Sequence, residues 1–264
     1  MMYCDMSPVP KMIGIVGGMG PMAGLRLHEL ILAETVAHKD QDHLPILHLS
    51  MPAAVPDRTA YLVGDTDENP AYAIAAMLQK LEFAGAEVAG IACNTSHSRP
   101  ILRVIEEEIE RLGLGIRLLS IVDATLDLLK KQVQDREKVA FWGTNGTWLS
   151  GMYDDAAMAR GFNVLRLPKE QQEKVHSAIY DPHFGLKANV SETSNEAIDC
   201  LGQVGMYCKK HGVKHVVLAC TELALAIDEE TFLDLRLLDS NRALARSLVE
   251  AATQVVAPQI LKEK

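Results

Sequence analysis

Cys93 and Cys220 stand in two segments that read alike, AGAEVAGIACNT and HGVKHVVLACTE. In each, a glycine lies eight residues before the cysteine, a short apolar run leads into the thiol, and small polar residues follow it. That pattern places a side chain at the carboxyl end of a buried parallel strand, where open α/β sheets bind ligands, and beside a helix start, where anions are favoured. Two such thiols on opposite walls of one cleft could exchange protons with a carbon acid: an ionised thiol takes a proton from one face while a protonated thiol gives one to the other. A free thiol titrates near ~8.5, and a helix N-terminus or a nearby cation lowers that value. Either cysteine alone reads more simply as a small buried side chain; it is the repeated setting that singles out the pair. Cys4 falls in an N-terminal tail, and Cys200 and Cys208 fall inside an expected helix, so these three are assigned no catalytic part.

The elements that must hold the thiols follow from the spacing of apolar residues. A short run over Lys11–Val16 ends in the turn GGMGP and passes into a helix over 22–38. A second strand is expected over 46–51, then a Pro-bounded loop, PAAVPDRTAYLVGD, and a helix over 69–82 that Gly85 ends. The strand 88–92 delivers Cys93, and a helix through Ile101, Ile105 and Ile109 follows it. The second half continues with strands over 116–122, 139–142, 164–167 and 216–219, between helices near 123–133, 147–160, 170–180 and 192–211. A last helix over 241–256 is expected to pack back on the first half. Strands separated by helices form parallel sheets. The expected class is therefore α/β, with two similar domains, each a parallel β-sheet flanked by helices, and the site in the cleft between them. The first domain is expected over 11–118 plus the C-terminal helix at about 236–260, the second over 119–235.

Composition narrows the function. The chain has 264 residues, 48% of them apolar but only 5% aromatic, which suits helices on a buried sheet. Its formal charge of −9, with no Lys/Arg block, argues against nucleic acid or an anionic membrane as partner. A small acidic substrate stays open, because a few cations in one pocket outweigh the average surface field. The opening residues, MMYCDMSPVPK, lack a basic region followed by an apolar run, and no later run is long enough to span a bilayer; a cytoplasmic protein is expected. Five cysteines without CxxC and nine histidines without ligand spacing predict no disulfide framework and no metal. Gly18, Gly20 and Ala23 fit a loose dinucleotide-binding pattern, but the second strand ends in LHLSM without the acidic residue that holds a ribose, so no nicotinamide cofactor is expected.

The segments GIVGGMGP, PDRTAYL, ACNTSH, GTNGTWLSGMY and ACTEL occur in the order and approximate spacing seen in aspartate racemases, and together they span most of the chain. The sequence thus resembles the aspartate/glutamate racemase family. The resemblance implies two α/β domains around a cleft, no metal or organic cofactor, commonly a homodimer, and interconversion of the two hands of an acidic amino acid, aspartate first. Carried over by position, the thiol pair falls on Cys93 and Cys220. Asn94, Thr95 and Thr221 fall where the substrate's carboxylate and amino ends are held, and Arg58 matches the arginine that grips a carboxylate, a task its planar fork suits. Thr144 and Asn145 match a substrate-facing loop, and Gly18 and Met19 lie in the turn that brings backbone close to the substrate. One departure concerns the distal carboxylate. Many aspartate racemases carry a lysine before the Ile-Tyr pair; here Glu173 takes that position, and the neighbouring Lys174 would project about 100° away on a helix.

Glu222 and His97 are read as structural, the first as a helix cap and the second facing a turn or the domain interface. Two other functions compete. The same cleft could isomerise or decarboxylate a dicarboxylic acid, or the chain could be a non-catalytic sensor of small anions, which would need Arg58 but not two thiols.

Overall fold

The computed structural model describes residues 10–134, 136–189, 192–227 and 229–254. Cys4 and the part of the expected last helix beyond residue 254 lie outside the described residues. In the first half, strands β1 (Ile13–Gly17), β2 (Ile46–Ser50), β3 (Val88–Ile91) and β4 (Arg117–Leu119) form a parallel sheet in the order β2-β1-β3-β4. Between and after them run α1 (Pro21–Glu34), α2 (Arg58–Val63), α3 (Ala71–Phe83), α4 (Arg99–Leu112) and α5 (Ile121–Gln132). The second half adds β5 (Lys138–Trp142), α6 (Asn145–Ser150), α7 (Met152–Ala159), β6 (Asn163–Val164), α8 (Lys169–Tyr180), α9 (Asn195–Lys210), β7 (Val213–Leu218), α10 (Leu223–Ala226), β8 (Thr231–Phe232), β9 (Leu235–Asp239) and α11 (Ser240–Thr253). Its sheet runs β6-β5-β7-β9-β8 and is parallel except for the short edge pair β8/β9. The α/β class with parallel sheets flanked by helices is the one read from the sequence. Among the described residues no helix is long and apolar enough to cross a membrane.

Alternation along the strands sorts the core into layers. Ile13 and Ile15 of β1, Val139 and Phe141 of β5, and Val217 of β7 point into one cluster that also takes Leu126 of α5 and Leu244 and Leu248 of α11. The opposite faces have their own helices. Val16 and Ile91 meet Ile74, Leu78 and Ile101 of α3 and α4, whereas Ala140, Trp142 and Val216 meet Val175, Ile179 and Leu201 of α8 and α9. Each fully buried Leu or Ile is worth about 1.5–3 kcal/mol against exposure. The shared central layer therefore ties the two sheets together with core-like packing.

The local differences from expectation have identifiable causes. The expected loop 52–65 contains helix α2, because Asp57 accepts from Ala60 N at 2.8 Å and Gly64, with φ 87°, closes the last turn. The strand expected over 116–122 stops at Leu119, since Ser120 caps α5 through Asp123 N. The helix expected over 147–160 is broken at Gly151, whose φ of 65° no helical residue adopts. The sequence reading missed β9, which pairs in register with β7, so the segment expected at 236–260 opens in the second sheet. Its helix, α11, packs against α1 and α5 and onto β3.

Candidate active site

β3 and β7 each run one residue past their ends into an alanine and then a cysteine, so Cys93 and Cys220 leave their sheets from equivalent positions. Gly85 and Gly212, eight residues earlier, both hold positive φ after a helix, which makes the sequence echo a structural one. The two thiols line one cavity, together with Met19, Arg58, Asn94, Thr95, Thr144, Tyr180, Lys187, Thr221 and Glu222. The cavity is about 10 Å³ to the centre of a water-sized sphere, room for roughly one water. A larger cavity of about 550 Å³ lies elsewhere, lined by Glu229, Glu230, Arg236 and Arg242 among others, and contains neither thiol. Size therefore does not mark the site; the convergence of reactive groups does.

Around Cys220 the groups are charged. Glu222 is buried and receives four hydrogen bonds: from Cys220 Sγ at 3.1 Å, Thr221 Oγ1 at 3.2 Å, Lys187 Nζ at 2.5 Å and Gly20 N at 3.0 Å. A Cβ at position 20 would sit 2.9 Å from Glu222 Oε1, so any larger residue there would displace the carboxylate. Burial by itself would raise the Glu222 carboxyl, but the Lys187 ammonium outweighs it and holds the group below the ordinary range. Burial likewise opposes the charge on Lys187, and Glu222 and then Cys220 push its pKa up. The Cys220 thiol is pushed well above its usual value, first by burial and then by Glu222, with Lys187 pulling the other way.

The sequence led us to expect helix starts that would lower both thiols. Cys220 is instead followed by α10, a single turn, and Cys93 by a 3₁₀ turn over Thr95–His97 before α4 begins at Arg99. At Cys220 so short a run of aligned peptides does not offset burial.

Around Cys93 the partners are mostly neutral. His97, buried and pushed down by that burial, contacts the Cys93 carbonyl through Nδ1 at 3.1 Å and accepts from Ile121 N at 3.5 Å, so it fixes the turn as a neutral ring. Asn94 spends its amide on structure: Nδ2 donates to Ser240 Oγ at 3.0 Å and Oδ1 accepts from Tyr153 Oη at 2.5 Å. Thr95, Thr144 and Thr147 join through their hydroxyls at 3.0–3.3 Å, with Thr59 bonded to Thr144. Arg58, the first residue of α2, is buried. Its Nη atoms donate to Pro56 O and Met19 O at 3.2 Å, and its Nε has no hydrogen-bond partner. Burial opposes the guanidinium charge, but Cys93, Tyr180 and Asp57 outweigh it and raise the pKa.

Two residues of the sequence-derived set stand apart from the cavity. Asn145 is turned to α8, where it meets Gln172 Nε2 at 3.1 Å and Glu173 Oε2 at 3.3 Å. Gly18, with φ 94°, shapes the turn after β1. Glu173 is thus an Asn145 partner, and Lys174 pairs with Glu170 on the same helix.

Lys187 and Tyr180 were not foreseen, and Glu222 was read as a cap. After α8 the chain doubles back, with Leu186 N bonded to Ala178 O at 2.9 Å and Lys187 N to Ile179 O at 3.0 Å. This brings the Lys187 ammonium to 5.4 Å from the Tyr180 ring centre, while Tyr180 Oη donates to Asp57 Oδ2 at 3.0 Å. The reversal needs Gly185, where a Cβ would lie 2.5 Å from Asp181 backbone atoms. A lysine two residues after such a glycine was the available signal. Among the described residues no three His, Cys, Asp or Glu side chains converge as a metal site would require.

Two sheets, the first parallel and the second parallel but for its edge pair, thus each present one thiol to a shared cavity. The family model for Asp/Glu/Hydantoin racemase matches residues 16–248, and the chain belongs to that family. It is an isomerase of the amino-acid racemase class, whose members work without pyridoxal phosphate. The Picrophilus torridus aspartate racemase is similar at 28% identity and TM-score 0.73, covering 92% of this chain and 94% of that one. A putative Asp/Glu racemase from Yersinia pestis, at 23% identity and TM-score 0.71, covers 92% and 100%. A glutamate racemase from Francisella tularensis, solved with D-glutamate, shares the fold at 17% identity and TM-score 0.59, covering 95% and 86%.

Proposed function

We propose that this enzyme interconverts the two hands of an acidic amino acid, aspartate first, by two-base proton transfer between Cys93 and Cys220. The observation that carries the reading is the single cavity lined by both sulfurs, one from each sheet. One thiolate removes the Cα proton and the other thiol delivers a proton to the opposite face, which inverts the centre. Thr95, Thr144 and Thr221 offer hydroxyl donors to a carboxylate. Two cations, Arg58 and Lys187, face one lining carboxylate, Glu222, an excess that favours a dicarboxylate substrate. Lys187 offers a cation to the distal carboxylate: an ammonium has three N–H groups, and Glu222 accepts from one. The cavity has room for about one water, so the two walls must part to admit an amino acid. Two units, 11–118 with the C-terminal helix and 119–235 extended through β9, carry the two walls. A cytoplasmic homodimer completes the reading, and sedimentation velocity tests the assembly.

The test is incubation of the purified enzyme with each hand of aspartate and glutamate in heavy water. Product of inverted configuration should carry deuterium at Cα. A protein that neither racemises nor exchanges any acidic amino acid would end the proposal.

A further inference from the structure

Resting on that two-thiol reading, we propose that Glu222 fixes the protonation state of the free enzyme, holding Cys220 as the thiol through the Sγ–H···Oε2 bond and leaving Cys93, opposite Arg58, as the resting base.

The geometry carries this. An ionised carboxylate has no hydrogen to give, so each of the four groups on Glu222 must be the donor. Gly20 N–H and the Lys187 ammonium are obligate donors, and Cys220 at 3.1 Å must therefore carry its proton. Were Cys220 ionised, two buried anions would share one ammonium. On the other wall the residue two places after the cysteine is Thr95, not a carboxylate, and its hydroxyl is turned to Thr144 and Thr147. The charged group facing Cys93 is Arg58, whose buried Nε has no partner. The other titratable groups around the cavity do not reverse this order. Tyr180, which lines the cavity, donates its hydroxyl to Asp57, and burial pushes its phenol up; His97, in contact with the Cys93 carbonyl, is neutral; His176 stacks on Tyr180. Burial and Glu222 acting on Cys220 point the same way.

The consequence is a directed cycle. The Cys93 thiolate takes the Cα proton and becomes a thiol; the Cα electron pair takes the Cys220 proton, which leaves a Cys220 thiolate. Atoms and charge balance within the enzyme–substrate pair. The new thiolate lies against Glu222, so after product leaves Cys220 regains a proton from water and Cys93 loses one to it. Glu222 is thus a positioning residue that resets the enzyme to one starting state.

Iodoacetamide labelling of the full-length enzyme, read peptide by peptide by mass spectrometry, tests this. Cys93 and Cys220 are each 5% exposed, so access does not separate them and the labelling rate reads the thiolate fraction. At pH 7 Cys93 should label at least about tenfold faster than Cys220. In Glu222→Gln the pH midpoint for Cys220 labelling should fall by about one unit or more, with Cys93 labelling unchanged. Equal labelling, faster labelling of Cys220, or a midpoint indifferent to Glu222→Gln would overturn the inference. The wild-type comparison stands even if the variant does not fold. Labelling is independent of turnover, so an enzyme that racemises with two equivalent thiols refutes this inference alone, and unequal thiols without racemisation refute only the proposed function.

Discussion

The two walls of the cavity grow from the same plan and end in different chemistry. Each has an apolar parallel strand, an alanine and a cysteine, and they diverge at the second residue beyond the thiol, Thr95 on one side and Glu222 on the other. Thr95 joins a cluster of neutral hydroxyls, so its wall is held by uncharged bonds and receives its charge from α2. Glu222 instead draws a lysine and a backbone amide onto its carboxylate, and its wall is an ion pair with a thiol attached. A repeated scaffold therefore places two sulfurs at equivalent strand ends, while the second residue beyond each decides whether a charged or a neutral group is held beside it.

The largest test removes one sulfur at a time. Either Cys93→Ser or Cys220→Ser should lower racemisation by about 10²–10⁴-fold, the range of one general acid–base group. Their residual chemistry should differ. Cys220→Ser, which keeps the resting base Cys93, should still exchange the Cα proton of the enantiomer that faces it, whereas Cys93→Ser, left with the protonated Cys220, should exchange the other enantiomer much more slowly, both seen by proton NMR in heavy water. Exchange of the same enantiomer by both variants would break the opposition of the two walls.

Next in size is Lys187→Met. Loss of a charge-assisted bond to the distal carboxylate, worth about 1.5–3 kcal/mol, should raise KM for aspartate by about 10–100-fold and spare any activity on neutral amino acids. The variant also strands Glu222 in a buried site, which should cost about 3 kcal/mol of stability. The pH sign follows from the two shifts. Glu222 is depressed in the fold, so its contribution is present above the ordinary glutamate pKa near ~4.3 and fades as pH falls through the lower folded value. Lys187 is raised, so its contribution is full below ~10.4 and fades only as pH rises through the higher folded value. Urea denaturation of wild type should therefore hold steady across neutral pH and weaken in acid. Lys187→Met should start lower and lose less on acidification.

This difference between the walls also marks where sequence reading succeeds and where it stops. The thiols were legible because the glycine, the apolar strand and the cysteine are local, and local patterns fold locally. Arg58, Thr95, Thr144 and Thr221 were legible as cavity residues through motif resemblance, although α2 was expected as a loop. Lys187 was not, because its place depends on a chain reversal after α8 and on where Tyr180 ends that helix, which are tertiary facts. The expected lowering of Cys220 failed because burial and Glu222 push its thiol up and α10 is only one turn. Strand β9 was missed because Leu235, Leu237 and Leu238 give no clean alternation and run directly into α11.

A smaller effect probes the neutral wall. Tyr153→Phe removes the donor to Asn94 Oδ1 and leaves that buried oxygen unpaired, at a cost of about 1–3 kcal/mol. For a chain of this size that lowers Tm by about 2–4 °C per kcal/mol. Because Asn94 follows Cys93 and also anchors Ser240 at the start of α11, the labelling rate of Cys93 should change while that of Cys220 does not. A change shared equally by both thiols would mean that the walls are not mechanically separate.

Smallest of all should be Asn145→Ala. Motif resemblance sets this residue against the substrate, whereas its side chain bridges Gln172 and Glu173 of α8 and does not line the cavity. Truncation removes two long, half-exposed bonds, a loss of about 0.5–1.5 kcal/mol in stability, and should leave KM for aspartate within about twofold. Thr144→Val, one residue earlier, removes a hydroxyl that does line the cavity and sits among Thr59, Thr95 and Thr147; it should raise KM several-fold more. Measured side by side, the two variants separate the cap residue that lines the cavity from its neighbour that faces the scaffold. A KM effect as large for Asn145→Ala as for Thr144→Val would place the loop differently when the cavity opens.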